Sequence, residues 1–263
     1  LHTARHSFPT RRSSDLPLRL PAREQVAGFP EHLTFAPSPW RKAARGLVEA
    51  FRIAAPHALV IATGYAIVLD AMPLAEEGRW AAVALDLAVG GMLFGMATFG
   101  FVALFKWLAV RRYGQRAAPM WTPFVWLSEA ATNLYEGVAV PWFLRYLRGT
   151  PWLNDALKLL GADIGRGVFL DTTDMTEFDC VHIGAHSELN ALCCPQTHLF
   201  EDRVMKIDHV RIGSRVTLGP RCTVLYGAQV GDGAQLGPLT LVMKGEQIPA
   251  GTLWHGLPAA PWR

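Results

Sequence analysis

Charge is scarce in this 263-residue chain. Lys, Arg, Asp and Glu together make up 18% of it, against about 25% in average soluble domains. With 51% hydrophobic residues and a mean hydropathy of +0.18, that scarcity excludes a disordered chain and argues against an ordinary soluble enzyme. Net charge is small too, only +3, which leaves no electrostatic footprint for nucleic acid. Cysteine is sparse. Cys180, Cys193, Cys194 and Cys222 form no CxxC pair and are too few for a disulfide scaffold, so they read as reduced thiols in a cytosol-facing protein.

Residues 1–16, LHTARHSFPTRRSSDL, lack the apolar core of a secretory signal. They resemble translated sequencing-adapter read-through and are set aside from the fold as an artefact. They carry Arg5, Arg11, Arg12 and Asp15, a net +2, which leaves +1 (3 − 2) for the rest. On this reading Leu1 is not a natural start, and the chain is expected to be a fragment.

What is abundant is apolar sequence. Residues 17–52 are Pro-rich and then basic, a linker with a basic lead-in helix. Two apolar runs follow, within a hairpin over 53–118. Residues 53–72 are interrupted only by Pro56, His57 and Asp70, and residues 81–110 hold Asp86 and Lys106 as their ionisable groups. Each reaches the about 20 residues that cross a bilayer. Arg41, Lys42, Arg45 and Arg52 precede the first run and Arg111, Arg112 and Arg116 follow the second, while the link holds Glu76, Glu77 and Arg79. The positive-inside rule then puts both hairpin ends, and all that follows, on the cytoplasmic side of the cell (inner) membrane, in a multi-pass arrangement. Asp86 reads either as a hydrated group near the interface or as a paired one with His57 across the hairpin. Residues 119–160 mix Trp121, Trp126, Tyr135, Trp142, Tyr146 and Trp152 with charges, a composition suited to interfacial helices.

Residues 161–263 carry a six-residue period. Ile212, Leu218, Val224, Val230, Leu236, Val242, Ile248 and Trp254 share one register, Gly follows at 213, 219, 231 and 237, and Val216, Cys222, Ala228, Ala234 and Thr240 sit four positions on. Ile164-Gly165, Leu170, Ile183-Gly184 and Leu189 repeat the pattern earlier. This predicts a parallel β-helix with an apolar core and three sides per 18-residue coil. Gly and small residues are expected at the corners, where φ turns positive. Between Asn190 and Val210 the register is lost, so about twenty residues there are expected to leave as a loop. The fold class expected is therefore mixed: a helical transmembrane hairpin, interfacial helices, then a parallel β-helix.

The register-breaking segment concentrates polar groups. His198 is the candidate general base, because a side chain near pKa 6.5 moves protons at neutral pH. Otherwise it is a solvent-exposed loop histidine. Glu201 or Asp202 is the candidate to hold its other ring nitrogen, and Asn190 to position an acceptor or an oxyanion. Cys193 and Cys194 need an activating base to be nucleophiles. His182, His186, His198 and His209 show no repeat-spaced pair, so no metal is expected. Asp171, Asp174 and Glu177, with Glu201 and Asp202, read as an anionic pocket for a cationic acceptor or as a solvated, turn-capping edge.

The order of these parts, with LGADIGRGVFLDTTDMTEFD (160–179), LNALCCPQTHLFEDRVMK (189–206) and LGPLTLVMKGEQIPAGTLWHGLPA (236–259), resembles the C-terminal region of the poly-lysine synthetase type of non-ribosomal peptide synthetase. The resemblance covers about 17–263, and 196–206 is its most specific part. It implies a left-handed β-helix related to hexapeptide-repeat acyltransferases, in which a loop histidine is the base, here His198, with Asn190 its motif partner. It implies a membrane-tethered unit that forms amide bonds between amino acids; the alternatives are a coenzyme A-dependent membrane O- or N-acetyltransferase and a non-catalytic scaffold unit. The unit binds no cofactor of its own. Its donor is a phosphopantetheine-linked thioester from a carrier domain, the alternative being coenzyme A. Implied partners are carrier and adenylation domains of the same polypeptide, neighbouring tandem β-helix units and the lipid membrane, with no nucleic acid. GLPAAPWR (256–263) and LPLRLPAR (16–23) look alike, so the chain is expected to begin at the tail of one unit and hold the next.

Overall fold

A computed structural model describes residues 28–262. The adapter-like stretch and most of the linker therefore lie outside the described residues.

Pro39 occupies the first helical position, where its missing N–H goes unused and its φ is preset. From it α1 runs unbroken over Pro39–Glu76. The basic lead-in and the first apolar run are thus one rod, with no break at 53. Pro56 and Pro73 lie inside it, each removing one backbone donor without ending the helix. The His57 ring engages its own helix, Nδ1 lying 2.7 Å from the Ile53 carbonyl oxygen. Helix α2 returns over Trp80–Ala109. Both helices are long and apolar enough to cross a membrane. Ile61, Leu85, Leu104 and Leu108 stand exposed on them.

The aromatic segment folds into several short helical pieces. Helix α3 (Pro123–Leu134) runs into a π turn, Tyr135–Ala139, and a further helix covers Pro151–Leu159. Trp126 and Tyr135 are buried, whereas Trp142, Tyr146 and Trp152 are exposed. Leu144, Leu153, Leu157 and Leu160 close one end of the core that continues into Ile164 and Leu170. Burial of the apolar face thus divides the ring set in two.

The six-residue period becomes a stack of short parallel strands. Thr217 pairs with Gln235, Thr223 with Leu241 and Gln229 with Gln247, each eighteen residues on, in three separate sheets. Ile183, Leu189, Ile212, Leu218, Val224 and Val230 all point into one core and are buried. The corner chemistry differs from expectation. Positive φ falls three positions after the core residue, at Arg215, Arg221, Gly227, Gly233 and Leu239, not at the glycines that follow it directly. Those glycines are needed for closeness: a Cβ on Gly184 would meet the Gly213 carbonyl carbon at 2.5 Å in the next turn.

The register break is also shorter than expected. Cys194–Gln196 is a coil strand, pairing in parallel with Thr223–Leu225, so Pro195 holds the inward position six after Leu189. Only then does the chain leave, and it leaves as structure rather than loop. His198–Glu201 and Val204–Ile207 form an antiparallel hairpin, and Arg116–Pro119 adds a third strand. Asp202 and Arg203, both at positive φ, make its turn.

One ion pair ties the helices to the coil. Lys106 near the end of α2 is 1% exposed. Its Nζ lies 2.7 Å from Asp179 Oδ2, which also accepts the Tyr113 backbone N–H, and 3.5 Å from the Trp107 ring centroid. Gly161, at φ +115°, leaves the space: a Cβ there would lie 2.6 Å from Asp179 Oδ1. Removing one partner strands a buried charge, which costs about 3–5 kcal/mol. Asp179→Ala is therefore expected to lower the thermal unfolding midpoint of the detergent-solubilised protein sharply. Lys106→Met combined with Asp179→Leu should recover much of the loss.

Candidate active site

His198 opens the hairpin at the point where it leaves the coil. Its Nδ1 lies 2.7 Å from Glu177 Oε2. Glu177 is 1% exposed and sits at φ +39°, in the connection where one coil turn takes nineteen residues (Asp163 to His182) instead of eighteen. The same Oε2 accepts from the Thr176 hydroxyl at 2.7 Å and the Thr197 hydroxyl at 2.6 Å. Oε1 is buried with no hydrogen-bond partner among the described residues. An ionised carboxylate only accepts, so Nδ1 donates, and Nε2 of the neutral ring carries the free lone pair. Burial alone would lower the imidazole's pKa. The hydrogen bond and charge of Glu177, reinforced by Glu129 and Glu136, outweigh it and hold the pKa above the ordinary 6.5.

Two clefts meet at this ring. The larger, about 510 Å³, runs along the coil edge past Thr173, Asp174, Cys194 and Gln196. The smaller, about 160 Å³, lies toward α1 and is lined by Arg52, Glu129, Asn133 and Met205. His198, Thr132 and Glu136 line both. Burial raises the Glu136 carboxyl, and the Asp174 and Glu177 charges raise it further. Burial likewise raises Asp174, against the pull of Arg148. The larger cleft is lined by the carboxyls of Glu136 and Asp174 and, among the described residues, by no Lys or Arg, which suits a cationic ligand.

The other expected site residues are distributed differently. Asp174 lines the larger cleft, and Glu177 is buried behind the ring rather than offered to a ligand. Glu201 and Asp202 do not hold His198. Glu201 is paired with Lys206 and Lys244 at the far end of its strand, and Asp202 sits in the hairpin turn. Asn190 donates to the Leu218 carbonyl at 2.8 Å within the coil, and neither it nor Asp171 lines either cleft. The five acids thus do not form one pocket. Cys193 is fully buried, its thiol donating to the Gly219 carbonyl. The Cys194 thiol is pushed up to about 12 by burial and by Asp174, Glu136 and Glu177, so it stays protonated and is no nucleophile at neutral pH.

The sequence reading missed Glu177 as the partner of His198, twenty-one residues away. The one available signal was the nineteen-residue step between Ile164 and Ile183, one residue too long for a regular coil. It also missed a contact between His182 and His209, whose rings meet at 2.8 Å. The hairpin insertion hides that alignment from the repeat. Among the described residues no group of three or more His, Cys, Asp or Glu is placed to hold a metal.

Over part of its length the chain is similar to solved structures of acetyltransferases. The galactoside acetyltransferase structure in complex with coenzyme A is 18% identical, with a TM-score of 0.37, over 46% of this chain and 76% of that one. A hexapeptide-repeat acetyltransferase from Vibrio cholerae O1 biovar eltor, complexed with acetyl coenzyme A, is 14% identical with a TM-score of 0.37, over 46% and 82%. In sequence the chain is much more similar to a poly-amino-acid synthetase. It is 53% identical over 245 residues to the delta-poly-L-ornithine synthetase of Acinetobacter baumannii (strain AB307-0294), a match that covers 93% of this chain and 18% of that protein. No family model matches.

A raised histidine pKa has a defined sign. The Glu177 contact stabilises the fold fully below the unfolded pKa of about 6.5, and that contribution is lost as pH rises through the higher folded value. Glu177→Gln removes the nearest charge and leaves burial opposed only by the more distant Glu129 and Glu136. The pH profile of histidine-selective acylation at His198 should therefore show a midpoint above 6.5 in the parent and a clearly lower one in the variant.

Proposed function

We propose that this chain is a membrane-tethered acyl-transfer unit that forms amide bonds between amino acids. In this reading the coil winds left-handed, the hairpin crosses the cell membrane, and both hairpin ends and the coil face the cytoplasm. The donor is an aminoacyl thioester on a phosphopantetheine arm supplied by a carrier domain. An adenylation domain and neighbouring β-helix units of the same polypeptide complete the machine. The similarity to the poly-ornithine synthetase supports the product class, an amino-acid homopolymer built from a diamino acid. The observation that carries the reaction type is the Glu177-held imidazole at the meeting of two clefts.

The chemistry follows from that arrangement. His198 Nε2 takes a proton from the acceptor amine as its nitrogen attacks the thioester carbonyl. The C–N bond forms, the C–S bond breaks, and the proton passes to the leaving thiolate. Holding donor and acceptor together lowers the entropic barrier by an amount that reaches roughly 7–11 kcal/mol in well-oriented systems. Glu136 and Asp174 attract the cationic acceptor. No covalent enzyme intermediate is required, in keeping with the protonated Cys194.

His198→Ala is expected to lower polymer formation about 10²–10⁴-fold, the usual contribution of a positioned base, with adenylation and carrier loading unchanged. Asn190→Ala, which touches neither cleft, should cost much less. Polymer formation at the parent rate in His198→Ala, or transfer only from acetyl coenzyme A, would overturn this reading.

A further inference from the structure

We propose that the smaller cleft seats the carboxylate of the amino-acid acceptor, and that Arg52 on the membrane hairpin binds it. This rests on the reading of the His198 clefts as the transfer site. The cleft, about 160 Å³, is lined by residues of α1, α3, the Tyr135–Ala139 turn and the β-hairpin.

The charges around it are arranged by sign. Glu129 is already satisfied by Arg45 at 2.8 Å. Glu136 is influenced by Asp174, Glu177 and His198. Among the described residues that line either cleft, Arg52 is the one permanent cation. Its Nη2 meets Glu49 on its own helix, yet its Nε is buried and has no hydrogen-bond partner. A buried guanidinium N–H with no acceptor is costly. A carboxylate is the acceptor whose planar, two-oxygen shape fits it. A diamino acid anchored there by its carboxylate reaches past His198 toward Glu136 and Asp174 with its amines. The carboxylate would then be read by Arg52 and the amines by Glu136 and Asp174, and the hairpin would be part of the site rather than an anchor alone.

The test uses the protein expressed from its complete gene and follows single-turnover transfer from a preloaded thioester. Three acceptors are compared: L-ornithine, an ornithine dipeptide, and 1,4-diaminobutane, which is ornithine without its carboxylate. The parent is expected to half-saturate with ornithine or the dipeptide at a concentration about tenfold or more below that for diaminobutane. Which of the two shows the preference tells whether the carboxylate belongs to a monomer or a chain end. Arg52→Gln should bring the ratio of the constants toward one, and Arg52→Lys should keep part of it. No preference in the parent, or an unchanged ratio in Arg52→Gln, overturns the inference. Loss of that ratio alongside undiminished transfer by His198→Ala would instead overturn the proposed role of His198 and leave the carboxylate seat standing.

Discussion

A lysine ammonium cannot sit in an apolar interior without a counter-charge, and Lys106 is almost wholly enclosed. Asp179 must therefore stand where α2 ends. Two constraints follow. Position 161 must lack a side chain, and the segment 171–180 must cross beneath the helices instead of following the coil. That segment also carries Glu177. The same ten residues thus fasten the helical hairpin to the coil and orient the imidazole that lies between them.

The period of six was legible because inward-facing side chains recur with every flat side of the coil, and a repeat of that kind survives any single substitution. Local exceptions were not legible. Pro195 continues the register from Leu189, but a proline does not read as a strand-core residue, so the break looked longer than it is. The hairpin 198–207 looked like loop because its five polar residues interrupt its five apolar ones without the six-residue period; a third strand, Arg116–Pro119, far away in sequence, pairs with it. The left-handed positions also escaped notice. Arg215, Arg221 and Leu239 occupy three of them, and nothing in those side chains announces a positive φ.

The site divided along the same line. His198 was visible as a lone titratable group in a register break. Its partner was not, since pairing across twenty-one residues depends on how one irregular turn folds. Glu201 and Asp202 looked suitable by proximity in sequence, and β geometry sent them to the far end of the hairpin. The acids that stay near the ring differ in role. Glu177 turns one oxygen, Oε2, to one ring nitrogen and two hydroxyls. Glu136 and Asp174 face open cleft, where their charge is available to a ligand.

The unbroken course of α1 has a further mechanical meaning. Residues 39–52 rise about 21 Å at 1.5 Å per residue, and they are continuous with the apolar run below. Arg45 fixes this stretch to α3 through Glu129, and Arg41 fixes it to the Trp121 carbonyl. If the apolar run is seated in lipid, the helix becomes a rigid mast, and the clefts at His198 stand at a set altitude above the headgroups. Whatever enters those clefts would then meet them at a fixed height, which lateral diffusion of the protein would not change.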